Sequence, residues 1–187
     1  MRGVSFLKGT RMNISELTLV QTRLNALINL PLCAAAREAD MLLLSFGDQQ
    51  TTLRIQCYYR MMEQGGVILA RNDVYQPAEA MWQMWEQMGY EHDYIPEDFH
   101  SDEPGANRLD ECLERLNADL SGMTVQTVML NHLGDMTMIF ACGAMLSVLS
   151  DTSGGEECWR LIDENGELDD LVVYGDGAEL VRPDIRE

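Results

Sequence analysis

Arg60 and Arg160 stand at matching places in the chain, and their type and surroundings make them its best candidates for chemistry. Arg60 follows Cys57-Tyr58-Tyr59, and Arg160 follows Cys158-Trp159. Thirteen residues after Arg60 comes Asp73, and sixteen after Arg160 comes Asp176. A guanidinium presents a rigid fork of donors that fits a carboxylate or a phosphate. Two such forks related by pseudo-symmetry could clamp an anionic ligand, so Arg60 and Arg160 are the candidate anion-site residues. The competing expectation is structural: each arginine pairs with an acid or a backbone carbonyl in its own half and fixes a turn. That expectation is preferred, because both halves keep the pair, whereas a function-bearing site usually degenerates in one copy.

Other constellations are weaker. His132 could in principle serve a cysteine or serine nucleophile, but it stands beside Gly134-Asp135 at a strand end, and no G-x-S-x-G elbow is present. No catalytic residue is assigned. Residues 90–105, YEHDYIPEDFHSDEPG, hold six acids with His92 and His100. They match neither the calcium-loop pattern nor an H-x-x-x-H pair, and they read as a solvated linker. No P-loop or strand–GxGxxG–helix unit occurs. No metal and no cofactor are expected. The five cysteines, Cys33, Cys57, Cys112, Cys142 and Cys158, are odd in number and never at C-x-x-C spacing. Each lies in an apolar stretch, so free, mostly buried thiols are expected, as in a reducing cytoplasm.

Charge is distributed unevenly. The chain of 187 residues carries a formal net charge of -18. Residues 1–11 sum to +3 and residues 12–76 to -1, whereas residues 77–187 hold 25 acids and five bases, a net -20. Such a field repels nucleic-acid phosphates and anionic lipid and attracts a basic protein partner. The longest apolar run, Met136 to Leu149, has 14 residues, too few to span a bilayer as a helix. Residues 1–11 lack the apolar stretch of a signal peptide and read as a basic tail.

Periodicity then places the elements. Leu17, Val20, Leu24 and Leu27 predict a helix over residues 13–28, and Pro31 stops it. Residues 32–46 are strand-like, although Cys33 to Ala39 is alanine-rich enough for a helix. Thr51 to Tyr59 and Val67 to Ala70 read as further strands. Pro77 to Met88 predicts a second helix whose Met81, Trp82, Met84, Trp85 and Met88 stripe is expected to face the core. A third helix is expected from Ala106 to Leu120. Strands follow at Thr124 to Leu130, Met136 to Ala141 and Ala144 to Leu149, with Cys142-Gly143 as a hairpin turn, then at Glu157 to Ile162 and Leu171 to Tyr174. Gly175-Asp176-Gly177 closes with a turn.

The two halves align in order. Arg23-Leu24-Asn25-Ala26 answers Arg115-Leu116-Asn117-Ala118, Asp40 answers Asp135, Phe46 answers Phe140, and Cys57, Arg60 and Asp73 answer Cys158, Arg160 and Asp176. The offsets are 92, 95, 94, 101, 100 and 103, the rising series that loop insertions in one copy produce. The expected fold is α+β: two pseudo-symmetric repeats, each a helix followed by a mainly antiparallel sheet, sharing one core. The expected organisation is a tail (1–12), repeat 1 (13–76), a helix and acidic connector (77–105), and repeat 2 (106–187).

The first half also resembles an uncharacterised bacterial protein family. The resemblance rests on an alanine-rich segment ending in L-x-F-G (Ala35 to Gly47), an x-Q-C-x-x-R strand (Gln56 to Arg60) and R-x-D-x-Y-x-P (Arg71 to Pro77), with E-x-W-R matching at Glu157 to Arg160. It covers most of residues 20–180 and implies a shared fold without an assigned activity. The expected function is a non-catalytic intracellular binding or inhibitory protein, immunity-like or regulatory, with an acidic surface for a basic partner. The alternative is a small-molecule or anion-binding protein, or an enzyme, with a site between the repeats.

Overall fold

A computed structural model describes residues 12–91, 95–97 and 99–182. Residues 1–11 of the basic tail, and His92, Asp93, Tyr94 and Asp98 of the connector, lie outside them. Helix α1 (Ile14–Asn25) opens with a capping box, in which Asn13 accepts the Glu16 N–H and Glu16 accepts the Asn13 N–H. Three strands follow as a meander: β1 (Leu32–Glu38), β2 (Met41–Phe46) and β3 (Thr51–Ile55). The alanine-rich stretch is therefore strand, because its pairing with β2 overrides helical propensity. A hairpin of β4 (Tyr58–Glu63) and β5 (Gly66–Ala70) comes next, then a 3-10 turn (Arg71–Tyr75) and α2 (Glu79–Gln87).

The second half repeats the order. Helix α3 (Arg108–Ala118), capped by Asn107, leads into a meander of β6 (Val125–Leu130), β7 (Met136–Phe140) and β8 (Met145–Leu149). After it come β9 (Glu157–Asp163), β10 (Asp170–Tyr174) and β11 (Gly177–Val181). The sequence shows β11 only as a closing turn. That turn requires glycine at 175, where a Cβ would collide with the Thr152 carbonyl oxygen.

Neither half completes a sheet by itself. The six-stranded sheet runs β1-β2-β3-β9-β10-β11, and the five-stranded sheet runs β5-β4-β8-β7-β6. Each meander thus finds its next neighbour in the other half: β3 pairs with β9, and β8 pairs with β4. Both meanders begin with an irregular register, between Leu32 and Ala34 in β1 and between Val125 and Thr127 in β6. Pro31 bridges Thr124, so the segments that enter the two meanders pair with each other, with Leu32 N–H donating to Met123 and Val125 N–H to Leu30.

One hydrophobic core lies between the inner faces. Phe46, Tyr59, Phe140 and Trp159 are its largest fully buried side chains. Met12, placed in the tail by sequence, belongs to it as well. Helix α1 packs against β6 and β11, while α3 packs against β1 and β5, so each helix spans from one sheet edge to the other. Two carboxamides seal the meander edges. Asn117 of α3 accepts from and donates to the backbone of Ala35, and Gln21 of α1 donates to Val128 and accepts from Leu130.

The α2 stripe departs from expectation. Only Trp85 is buried, edge-on to Trp82 and to Phe99 of the connector, whereas Met84 and Met88 are exposed. Phe99 of the connector gives this nine-residue helix an apolar contact through Trp85.

All five cysteines are free thiols. The Cys57 and Cys158 thiols influence each other, which raises Cys57 and lowers Cys158, but both are buried with Cys112. Alkylation of the native protein should therefore modify exposed Cys142 first and half-buried Cys33 next, and denaturant should expose all five. Rapid loss of Cys57 or Cys158 in a mass-resolved time course would contradict this burial.

Candidate functional site

The two candidate arginines do not meet. Arg60 lies on the outer face of the five-stranded sheet, exposed, between Ala70 of β5 and Ser147 of β8. Arg160 lies on the outer face of the six-stranded sheet, opposite Arg54 of β3. Its guanidinium donates to Glu157 at 2.7 Å and to Asp170 at 3.3 Å. Hydrogen bonds donated to those carboxylates, Glu157 foremost, raise the Arg160 pKa further. Like charges directly opposite across a ladder repel, and these two acids offset that repulsion. The acids that follow the arginines in sequence do other work. Asp73 caps the Ala70 N–H at 2.8 Å and faces Arg108 at 3.9 Å. Asp176 sits in the β10–β11 turn.

His132 is exposed in the β6–β7 loop, where its carbonyl accepts the Met12 N–H. Among the described residues no cluster of histidine, cysteine and acid is arranged to hold a metal ion.

Two features stand out that the sequence did not announce. The first is the outer face of the five-stranded sheet. On β4, β7 and β8, Tyr59, Met61, Met136, Met138, Leu146 and Val148 point to the core, and the residues between them point out. The outward set includes Tyr58, Met62, Ile139, Met145 and Leu149, with serine and threonine between them. Leu149 and, on β6, Met129 are 43% and 49% exposed. Among the described residues Arg60 is the only charge at the outward positions of β4, β7 and β8.

The second is a groove of about 430 Å³ between α3 and the β4–β5 hairpin. Val67, Ile68 and Leu69 form one wall, and Arg108, Cys112 and Arg115 the other. Burial raises the Cys112 thiol above its ordinary value, which keeps it protonated. The hairpin belongs to the first half and α3 to the second. Arg115, of the repeated Arg-Leu-Asn-Ala, lines the groove. Its counterpart Arg23 lines a recess of only about 60 Å³ and donates to the Asp169 carbonyl at 2.9 Å. The reason is loop length: residues 164–169 separate β9 from β10, whereas only Gln64-Gly65 separates β4 from β5. The longer loop closes over the first-half helix, and the short hairpin leaves the second open.

No family model matches the chain, no curated protein is detectably similar to it, and no solved structure matches its fold.

Proposed function

We propose that this chain is a non-catalytic binding protein that docks a cationic protein on the outer face of its five-stranded sheet. The supporting observation is that face: apolar and half-exposed, with Arg60 its one charge, on a chain of net charge -18. Exposed apolar side chains gathered on one sheet face mark an interaction site. Acids border it, with Asp135 before β7 and Asp151 after β8 at one end of the strands. Apolar contact from the rows that flank Arg60, Ser147 and Thr137 provides affinity, and the acidic field speeds the approach of a basic partner. Arg60, first considered as an anion ligand, then serves as a central contact, a role in which arginine is enriched. The protein acts by occupying its partner, in keeping with an immunity-like or regulatory role.

A dye-labelled peptide of alternating leucine and lysine tests the reading. It should bind in fluorescence anisotropy, with an association rate that falls steeply as salt rises, because exposed charges are screened within about 10 Å at 0.1 M. Met145→Asp should weaken binding by roughly tenfold, equivalent to about 1.4 kcal/mol, while leaving the melting temperature nearly unchanged. Equal binding of a leucine–glutamate peptide, or an unaffected Met145→Asp, would refute it.

A further inference from the structure

The chain builds its two sheets in a nested order. β1, β2 and β3 belong to the six-stranded sheet, β4 to β8 to the five-stranded sheet, and β9, β10 and β11 to the six-stranded sheet again. The chain therefore leaves the first sheet once, after Ile55, and re-enters it once, at Glu157. The two crossings stand side by side. Ile55 pairs with Trp159, and beyond that pair the Gln56 and Cys57 N–H groups both donate to the Cys158 carbonyl, at 2.9 and 3.0 Å. Two residues of one strand thus oppose one of the other, as in a β-bulge. Cys57 and Cys158, which answer each other in the two halves of the sequence, are neighbours across it.

Opposed residues of antiparallel strands have Cα atoms about 4.5–5.5 Å apart, within the about 4.4–6.8 Å that a disulfide spans. Both side chains enter the same core, and they are 2% and 0% exposed. Their thiols are near enough to influence each other. The Cys57 thiol foremost, and the Ser150 hydroxyl after it, lower the Cys158 pKa and outweigh its burial. The Ser150 hydroxyl is itself buried, with no hydrogen-bond partner among the described residues. An ionised Cys158 gives it an acceptor. Ser150 opens the largely exposed loop that leads from β8 to β9, residues 150–156, and the Cys158 sulfur lies 3.9 Å from the Glu156 carbonyl oxygen at its other end. The more acidic thiol therefore sits directly beneath a surface loop.

We infer that Cys57 and Cys158 are a redox pair, which hydrogen peroxide joins in a reversible disulfide that clamps the base of the five-stranded sheet. The Cys158 thiolate attacks a peroxide oxygen, the O–O bond breaks, and a sulfenic acid forms with release of hydroxide, which takes up the proton the thiol lost. The Cys57 sulfur then attacks the sulfenic sulfur. The S–S bond forms, and the hydroxyl leaves as water with the Cys57 proton. Two thiols lose two electrons and two protons, and one peroxide becomes two waters. A dithiol reductant reverses the step by thiol–disulfide exchange. The bond closes a loop from residue 57 to residue 158 that contains every strand of the five-stranded sheet. Closing so long a loop restricts the unfolded chain and favours the folded one. The inference goes beyond the docking face and does not depend on it.

The native protein treated with hydrogen peroxide, then alkylated in denaturant and mapped as unreduced peptides by mass spectrometry, tests the inference. The Cys57 and Cys158 peptides should appear joined, lighter by two hydrogens than their sum, and dithiothreitol should restore both thiols. The urea midpoint should rise by about 1 M or more on oxidation. It should fall back on reduction with dithiothreitol, which leaves any methionine sulfoxide in place. Cys57→Ala should abolish the joined peptide and the rise, whereas Cys142→Ala, at an exposed position, should abolish neither. The wild-type map decides the pairing even where Cys57→Ala folds poorly. Cys57 and Cys158 still alkylated after peroxide, a cross-link through Cys33 or Cys142 in their place, or a joined pair with an unchanged midpoint would each overturn the inference.

Discussion

Trp159→Ala should lower the stability of the whole protein by about 3–5 kcal/mol. The side chain is fully buried, on β9 between Ile55 of β3 and Val173 of β10. Alanine would leave a large cavity at the junction of the two halves. It would also orphan the Gly134 carbonyl, which accepts the indole N–H at 3.1 Å. Because β9 completes a sheet begun by the first half, a single cooperative transition should shift as a unit. Urea unfolding followed by far-UV circular dichroism measures this, with the midpoint falling and the slope unchanged. Tyr59→Phe is a milder comparison. Tyr59 donates to the Asp40 carbonyl at 3.2 Å, so losing the hydroxyl should cost about 1 kcal/mol. A Trp159→Ala loss below that of Tyr59→Phe would contradict the packing described here.

Arg37→Ala should cost about 3 kcal/mol, because it strands a partly buried carboxylate. Arg37 on β1 and Asp110 on α3 form a two-pronged ion pair, and their side chains are only 8% and 19% accessible. Burial works to raise the Asp110 pKa, but the Arg37 hydrogen bond, the Gly105 N–H and the arginine charge outweigh it, and the net shift is downward. A depressed carboxylate contributes stability that is present above its ordinary value of 3.8 and is lost as the pH falls through the folded value. The wild type should therefore lose stability more steeply than Arg37→Ala on acidification below about pH 4. Chemical denaturation at several pH values tests the sign. Parallel acid limbs for the two proteins would show that Asp110 gains nothing from Arg37.

Local features were legible where a single segment determines them. Asn13 and the Leu17-Val20-Leu24 spacing mark α1, and the strand-like stretch 32–46 holds β1 and β2. Cys142-Gly143 lies within the β7–β8 turn, which spans residues 141–144, with Gly143 at φ 90°. The α+β class and the helix-then-strands order of each half follow from such signals. Partner choice was not legible. Nothing local in Thr51 to Ile55 says that β3 pairs with a strand a hundred residues away. β11 escaped notice because Gly-Ala-Glu-Leu-Val has little β-branching. The α2 stripe looked like core because its composition is that of core, and only the tertiary structure shows Met84 and Met88 in solvent. The anion-site arginines were found by repetition, but repetition does not reveal which sheet each copy joins. Arg108 and Arg115 were invisible as a pair until the short β4–β5 hairpin showed that they line an opening.

We propose that the two halves arose by duplication. The recurring meander irregularity supports this, as do Tyr59 and Trp159, each donating to the turn before the second strand of its own half. The exchange of strands between halves has a consequence for biosynthesis. While the chain is being made, β3 emerges long before β9, its neighbour in the finished sheet. At roughly 5–20 residues per second, the hundred residues between them take about 5–20 s to appear. For that time a ribosome-bound first half presents the raw edge of β3 and the uncovered inner face of its meander. Nascent chains stalled shortly before residue 157 should therefore be far more sensitive to protease, and more readily held by chaperones, than chains released after residue 174.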